Sequence, residues 1–267
     1  MADHAPLSKR QRKFAEAKER NMTRGQLWRA REKKQRKGKN INTLRGKRAI
    51  LVVTNRGRER LGTNEAIQIL GLDEQSDDED EDDAKGDIQA ALAKELEQAR
   101  SKNTARYDLS MPCLSAIESH GDPVEIVSRL FSSVIAEGKA RSTHVEKLIP
   151  LDRICYPSVE SITTCATELL KDTFSPESPS QSFAVMAKIR GNSSEAGSLS
   201  RTDVNNAIAA LIDQKKHPVN LTEPDVVIVV EVVRSIAGIS VVKGSDYRLF
   251  KKFNLRNLVE PGGGDDE

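Results

Sequence analysis

The chain has 267 residues, 37% hydrophobic and 31% charged, which suits one large or two small globular domains with some of the chain left unpacked. A formal net charge of +2 hides an asymmetry: residues 1–60 carry +15 and the remaining 207 carry −13, so the basic arm calls for a polyanionic partner. No stretch approaches the roughly 20 apolar residues of a membrane span, no apolar core follows the N-terminal basic residues as in a secretory signal, and three cysteines without a CxxC pair argue for a reducing compartment without disulfides or zinc.

From Lys9 to Arg48 the residues are dominated by Lys, Arg and Gln, with Trp28 the only bulky aromatic in the densest part. An arm over 1–47 therefore has too little apolar surface to fold alone. Its "KKQRK" at 33–37 reads equally as a nuclear import signal and as a phosphate contact. Order is expected from "RAILVVT", 48–54, a strand, followed by Gly62, Thr63 and the helical pattern "NEAIQIL". An acidic insertion, 73–86, interrupts it; nine of the eleven residues in "DEQSDDEDEDD" are acidic, so no core can form there. "DIQAALAKELEQA" resumes an amphipathic helix.

"CLSAIES", 113–119, reads as a strand. The helix after it is signalled at both ends: Asp122 caps, Pro123 takes the first turn, Glu125 completes a capping box and Gly138 closes. Its expected buried stripe is Ile126, Val127, Leu130, Phe131, Val134 and Ile135. "THVEKLIPL", 143–151, completes an alternation of strands and helices that fits a ferredoxin-like sandwich. A second α/β unit follows, with a helix capped by Ser158 and a strand over "FAVMAKIR". Next come a helix with Ser200 as cap and Asp203 as capping-box acid, a doubly apolar strand "DVVIVVEVV" and a last strand "AGISVV".

Catalytic constellations are missing from the pattern. "PGGGDDE" has neither a strand before it nor a helix after it to place a phosphate-binding turn. His4, His120, His144 and His217 lack metal-ligand spacing, and no GxSxG elbow is present. Neither a metal nor a cofactor is expected. What stands out is charge at the join of a strand and a helix. Lys188 and Arg190 end the strand, Asn192 lies in the loop, and Arg201 takes the first helical position, where the helix dipole disfavours a cation. Together they form an anion site or the ordinary charged rim of a strand end.

The order "F-A-V-x-x-K-x-R-x-N", "L-S-R-x-D-V", "H-P-V-N-L-T-E-P-D-V-V-I-V-V-E-V", "G-I-S-V-V" and "Y-R-L-F-K-K-F-N-L" resembles the THUMP domain of small eukaryotic adaptors for tRNA cytidine acetylation. Upstream, "ILVVTNRGRERLGTNEAIQIL", "DPVEIVSRLFSSVI" and "KARSTHVEKLIPL" are similar to the ferredoxin-like domain that precedes THUMP in that family. The resemblance implies an α+β chain: a basic arm at 1–47, disordered or helical; a ferredoxin-like domain at 48–154 carrying the acidic insertion; a THUMP domain at 155–258; and an acidic disordered tail at 259–267.

It also implies a non-catalytic, monomeric tRNA-binding adaptor, nuclear or nucleolar and without membrane contact. THUMP would engage the acceptor end of tRNA while a separate RNA cytidine acetyltransferase forms N4-acetylcytidine in the D arm. Lys188, Arg190, Asn192 and Arg201 are then the RNA contacts, with Lys215 and Lys216 extending them. These last two, with Arg248, Lys251, Lys252 and Arg256, either widen the RNA surface or merely solvate domain ends. Where the family has a denser "R-R-N-N", this chain has "I-R-G-N" at 189–192. Glu231 reads as structural. An RNA-binding assembly factor in pre-ribosomal particles is the alternative function.

Overall fold

The computed structural model describes residues 40–72, 105–139, 141–191 and 199–258. The expectations for residues 1–39 of the basic arm, the acidic insertion, the helix after it, Asn192 and the acidic tail lie outside the described residues. The end of the arm, 40–47, is ordered rather than unpacked, because a 3-10 turn at Ile41–Leu44 buries Leu44 in the core and Arg45 donates to Ser235 O at 2.8 Å.

Residues 48–151 build a βαββαβ unit from β1 (Arg48–Thr54), α1 (Glu59–Ile69), β2 (Arg106–Met111), β3 (Leu114–Ser119), α2 (Pro123–Glu137) and β4 (Val145–Leu151). The sheet order is β2-β3-β1-β4 with every neighbouring pair antiparallel, the ferredoxin-like arrangement. Strand β2 goes beyond the sequence expectation. Only Tyr107 and Leu109 alternate inward among exposed Arg106, Asp108 and Ser110, too short a period to stand out. Helix α1 begins at Glu59, earlier than "NEAIQIL" suggested, because Gly62 is buried against Thr54 of β1 and Thr63 against Ser115 of β3 rather than marking a loop. A Cβ at Gly62 would lie 2.4 Å from Thr54 Cγ2, so the close approach of helix and strand needs glycine.

Helix α2 follows its end signals closely. The Asp122 carboxylate accepts from the N–H groups of Val124 (2.8 Å) and Glu125 (3.1 Å), and Gly138 closes the helix at φ 62°. Its stripe is narrower than expected: Val127, Leu130, Phe131 and Val134 are buried, Ile126 is half-buried and Ile135 is exposed.

The second sheet takes β5 (Arg153–Cys155), β6 (Phe183–Arg190), β7 (Val226–Val233) and β8 (Ile236–Lys243) in the order β5-β8-β7-β6, with β6 and β7 parallel and the other pairs antiparallel. Helices α3 (Val159–Leu170) and α4 (Arg201–Ala209) join the inner row Phe183, Val185, Val226, Ile228 and Val230 in one hydrophobic cluster. Short helix α5 (Gly244–Leu249) ends the unit.

The opposite face of this sheet packs into the core of the first unit. Val227, Val229, Val233, Ile236 and Val242 belong to the same buried cluster as Ile50, Val52, Phe131 and Leu148. Two chain segments cross between the sheets. β4 and β5 are separated only by Asp152, so one extended run edges both. After α5, Lys251, Lys252 and Phe253 take left-handed φ values of 49°, 59° and 58°, and the chain returns to β4. There Leu148 N–H donates to Phe253 O (3.2 Å) and Leu255 N–H to Glu146 O (2.9 Å). The turn buries Phe253 against Phe131, with ring centroids 6.0 Å apart and edge-on.

Candidate nucleic-acid interface

The alternation of β6 sends Phe183, Val185 and Ala187 into the helix-side core and leaves Met186, Lys188 and Arg190 on the other face. That face stands opposite β4 only as far as the apolar packing reaches. Beyond it the sheets leave a cleft of about 480 Å³. Five cations line the cleft: Lys188 and Arg190 from β6, Arg201 from the first turn of α4, Lys147 from β4, and Lys252 from the left-handed turn. Met186, Ile149, Tyr247 and Phe253 supply apolar wall.

Helix α4 is fixed by its cap. Ser200 Oγ accepts from Asp203 N–H (3.1 Å), and buried Val204 and Ile208 hold the inner face, which leaves Arg201 exposed at the cleft mouth. The strand end is fixed by Gly191, at φ 58°, where a Cβ would meet Met111 Sδ at 2.5 Å. Glycine adopts that backbone without strain and leaves Met111 in place, so "I-R-G-N" in place of "R-R-N-N" is compatible with the turn.

Crowding of cations shows in their titration. Partial burial first, then the charges of Arg190, Lys147 and Arg201, hold the Lys188 ammonium below its ordinary value, with Glu231 pulling the other way. Such a set is relieved by a bound anion. Glu231 sits on the cleft floor, paired in register with Lys188, and is only 5% exposed. Burial pushes its carboxyl up, against the pull of Arg190, Lys188 and Lys147. Arg190 Nη2 stands 3.7 Å from Glu231 Oε2, an ion pair too long for a hydrogen bond, and Oε2 has no hydrogen-bond partner.

Of the residues expected from the sequence, Lys188, Arg190 and Arg201 come together. Lys215 and Lys216 lie beyond the other end of α4 and do not line the cleft. Lys216 Nζ donates to the carbonyls of Pro176 (2.7 Å) and Ser175 (3.2 Å), tying down the loop before β6. Lys147 escaped the sequence reading because nothing in "VEKLIPL" marks which sheet edge it will face. Lys252, which the sequence leaves open between widening the RNA surface and solvating a domain end, lines the cleft. Among the described residues no group of three or more His, Cys, Asp and Glu side chains could hold a metal ion, and no helix is long and apolar enough to cross a membrane.

Residues 156–242 match the THUMP domain model. An uncharacterized protein of Schizosaccharomyces pombe is 26% identical over 225 residues, covering 79% of this chain and 75% of that one. The tRNA acetyltransferase TAN1 of Saccharomyces cerevisiae is 23% identical over 278 residues, covering 86% of this chain and 95% of that one. THUMP domain-containing protein 1 of Mus musculus is 26% identical over 178 residues, covering 66% of this chain but 47% of its own length, so the chain spans about half of that relative. Lys188, Arg190, Arg201 and Glu231 fall inside the matched stretch and Lys147 and Lys252 outside it, so the chain carries a THUMP domain match over residues 156–242 and the cleft is shared between that stretch and the segments on either side of it.

Proposed function

We propose that this chain binds tRNA through the cleft and acts, without catalysing a reaction itself, as the adaptor with which a separate RNA cytidine acetyltransferase forms N4-acetylcytidine in the D arm of particular tRNAs. The observation that carries the reading is the convergence of five cations from both sheets on one open cleft at a THUMP domain. Cations spaced over two sheet edges and a helix start suit the phosphates of a folded RNA better than one small anion. Alignment over most of its length with a relative named a tRNA acetyltransferase supports the reaction context. The proposed site of action is the nucleus, in keeping with the basic stretch at 33–37.

Nucleoside analysis of tRNA from cells with and without the protein tests the adaptor role. Acetylcytidine is expected to disappear from tRNA in its absence, and an unchanged level overturns the reading. Retention in pre-ribosomal particles after depletion of the acetyltransferase would favour the assembly-factor alternative. In vitro, Arg190→Ala or Arg201→Ala should weaken tRNA binding and lower the slope of log K against log salt by about one. Binding and slope equal to those of the unmodified protein would remove the cleft from the tRNA surface.

A further inference from the structure

The cleft contains one group that a purely phosphate-binding surface has no use for. A carboxylate among five cations repels every phosphate that approaches it, and Glu231 is held at the floor rather than at the rim. Its Oε2 is buried and accepts no hydrogen bond, and Arg190 at 3.7 Å does not supply one. A buried acceptor of this kind lacks the partner that buried polar groups ordinarily have. The missing partner is a hydrogen-bond donor without negative charge that can enter from the cleft.

The distribution of the other groups says what that donor belongs to. Lys188, Arg201 and Lys252 are exposed, and of these Arg201 and Lys252 lie on other elements than the β6–β7 pair that holds Glu231, so a phosphodiester can reach them from the rim. In the same cleft half-buried Met186 and Tyr247, with exposed Leu221, provide apolar surface for a flat ring. The volume, about 480 Å³, falls in the range of about 300 to 1,000 Å³ that holds a small organic ligand.

We propose that the cleft seats one unpaired nucleotide whose base carries an exocyclic amino group, and that the Glu231 carboxylate accepts a hydrogen bond from that amine. This rests on the reading of the cleft as an RNA site. Cytosine, adenine and guanine each offer such an amine, whereas uracil turns a carbonyl oxygen toward the carboxylate in its place. Glu231 is thus a specificity-determining residue, with the cations at the mouth supplying affinity common to all sequences.

The test compares hexameric oligocytidylate and oligouridylate, two pyrimidine strands that differ at the base edge, by fluorescence anisotropy with the full chain at fixed salt. The unmodified protein should bind the cytidine strand about tenfold more tightly. Glu231→Gln keeps the side-chain shape but adds an amide donor that can face a carbonyl, so the preference should vanish or reverse while thermal melting shows the fold intact. Equal binding of the two strands by the unmodified protein, or a preference that survives Glu231→Gln, overturns the proposal. If that variant does not fold, the unmodified protein's preference decides alone. Should neither strand bind, or should binding ignore Arg201→Ala, the RNA reading of the cleft falls first and the proposal with it.

Discussion

Asp152 occupies the single position between β4 and β5, and its carboxylate accepts from Val241 N–H at 3.3 Å. Burial pushes its pKa from 3.8 to about 6, with Asp122 adding to the rise and Val241, Arg48 and Arg153 opposing it. The folded state therefore holds the proton more tightly than the unfolded chain. The resulting cost to stability is absent below about pH 4, grows through pH 4 to 6 and is complete above. Asp152→Asn, which keeps an oxygen for Val241, should raise the unfolding free energy by about 2 to 3 kcal/mol at pH 7 and little at pH 4, as measured by urea denaturation. At this scale legibility followed local geometry. Lys188 and Arg190 were readable because a strand of period two separates them from the core face, and Arg201 because a helix cap fixes its neighbour Ser200. Lys147 was not, since its place on the cleft depends on which element lies across from β4. Glu231 was legible as buried, but the missing hydrogen bond at its Oε2 was not, because the cleft around it is lined from β4, β6, α4, Leu221 and residues 247–253.

Helix α2 was legible at both ends and α4 at its start, since capping side chains act on backbone groups two or three residues away, whereas the end of α4 at Ala209 carries no glycine to mark it. Helix α1 has no side-chain cap, and strand β2 has two inward residues, so neither announced its limits. The three consecutive left-handed residues after α5 are the least legible element. Lys251, Lys252 and Phe253 are ordinary residues in a conformation that costs about 1 to 2 kcal/mol apiece for side chains with a Cβ. Besides the contacts to β4 and Phe131, the turn is held by Lys252 N–H to Tyr247 O (2.8 Å), Asn254 N–H to Phe250 O (3.1 Å), and the rings of Tyr247 and Phe250 beside Phe253. Lys251 is exposed and does not line the cleft. Replacing it with glycine should relieve strain and stabilise the fold by about 1 kcal/mol, partly offset by greater freedom of the unfolded chain, a change readable as a rise in Tm.

At the scale of the whole molecule, one hydrophobic cluster takes residues from both sheets, with the Phe131 ring of α2 tilted against Phe250 at a centroid distance of 5.3 Å and edge-on to Phe253. A cavity at Phe131 therefore removes packing from both units at once. Phe131→Ala should cost about 3 to 5 kcal/mol, and hydrogen exchange should show β1 and β7 losing protection together; loss confined to β1 would show that the sheets unfold separately. The shared packing was invisible in the sequence because β7 is apolar on both faces, which shows that it is covered twice but not by what. The return of the chain to β4 carries a consequence for biosynthesis. Lys252 and Phe253 complete the cleft, and Leu255 pins them by its bond to Glu146. During translation the first four cations emerge well before this segment does. A nascent chain that has not yet released this segment lacks both the finished cleft and the aromatic part of the shared core, so the cleft is complete only after residue 255 has left the ribosome.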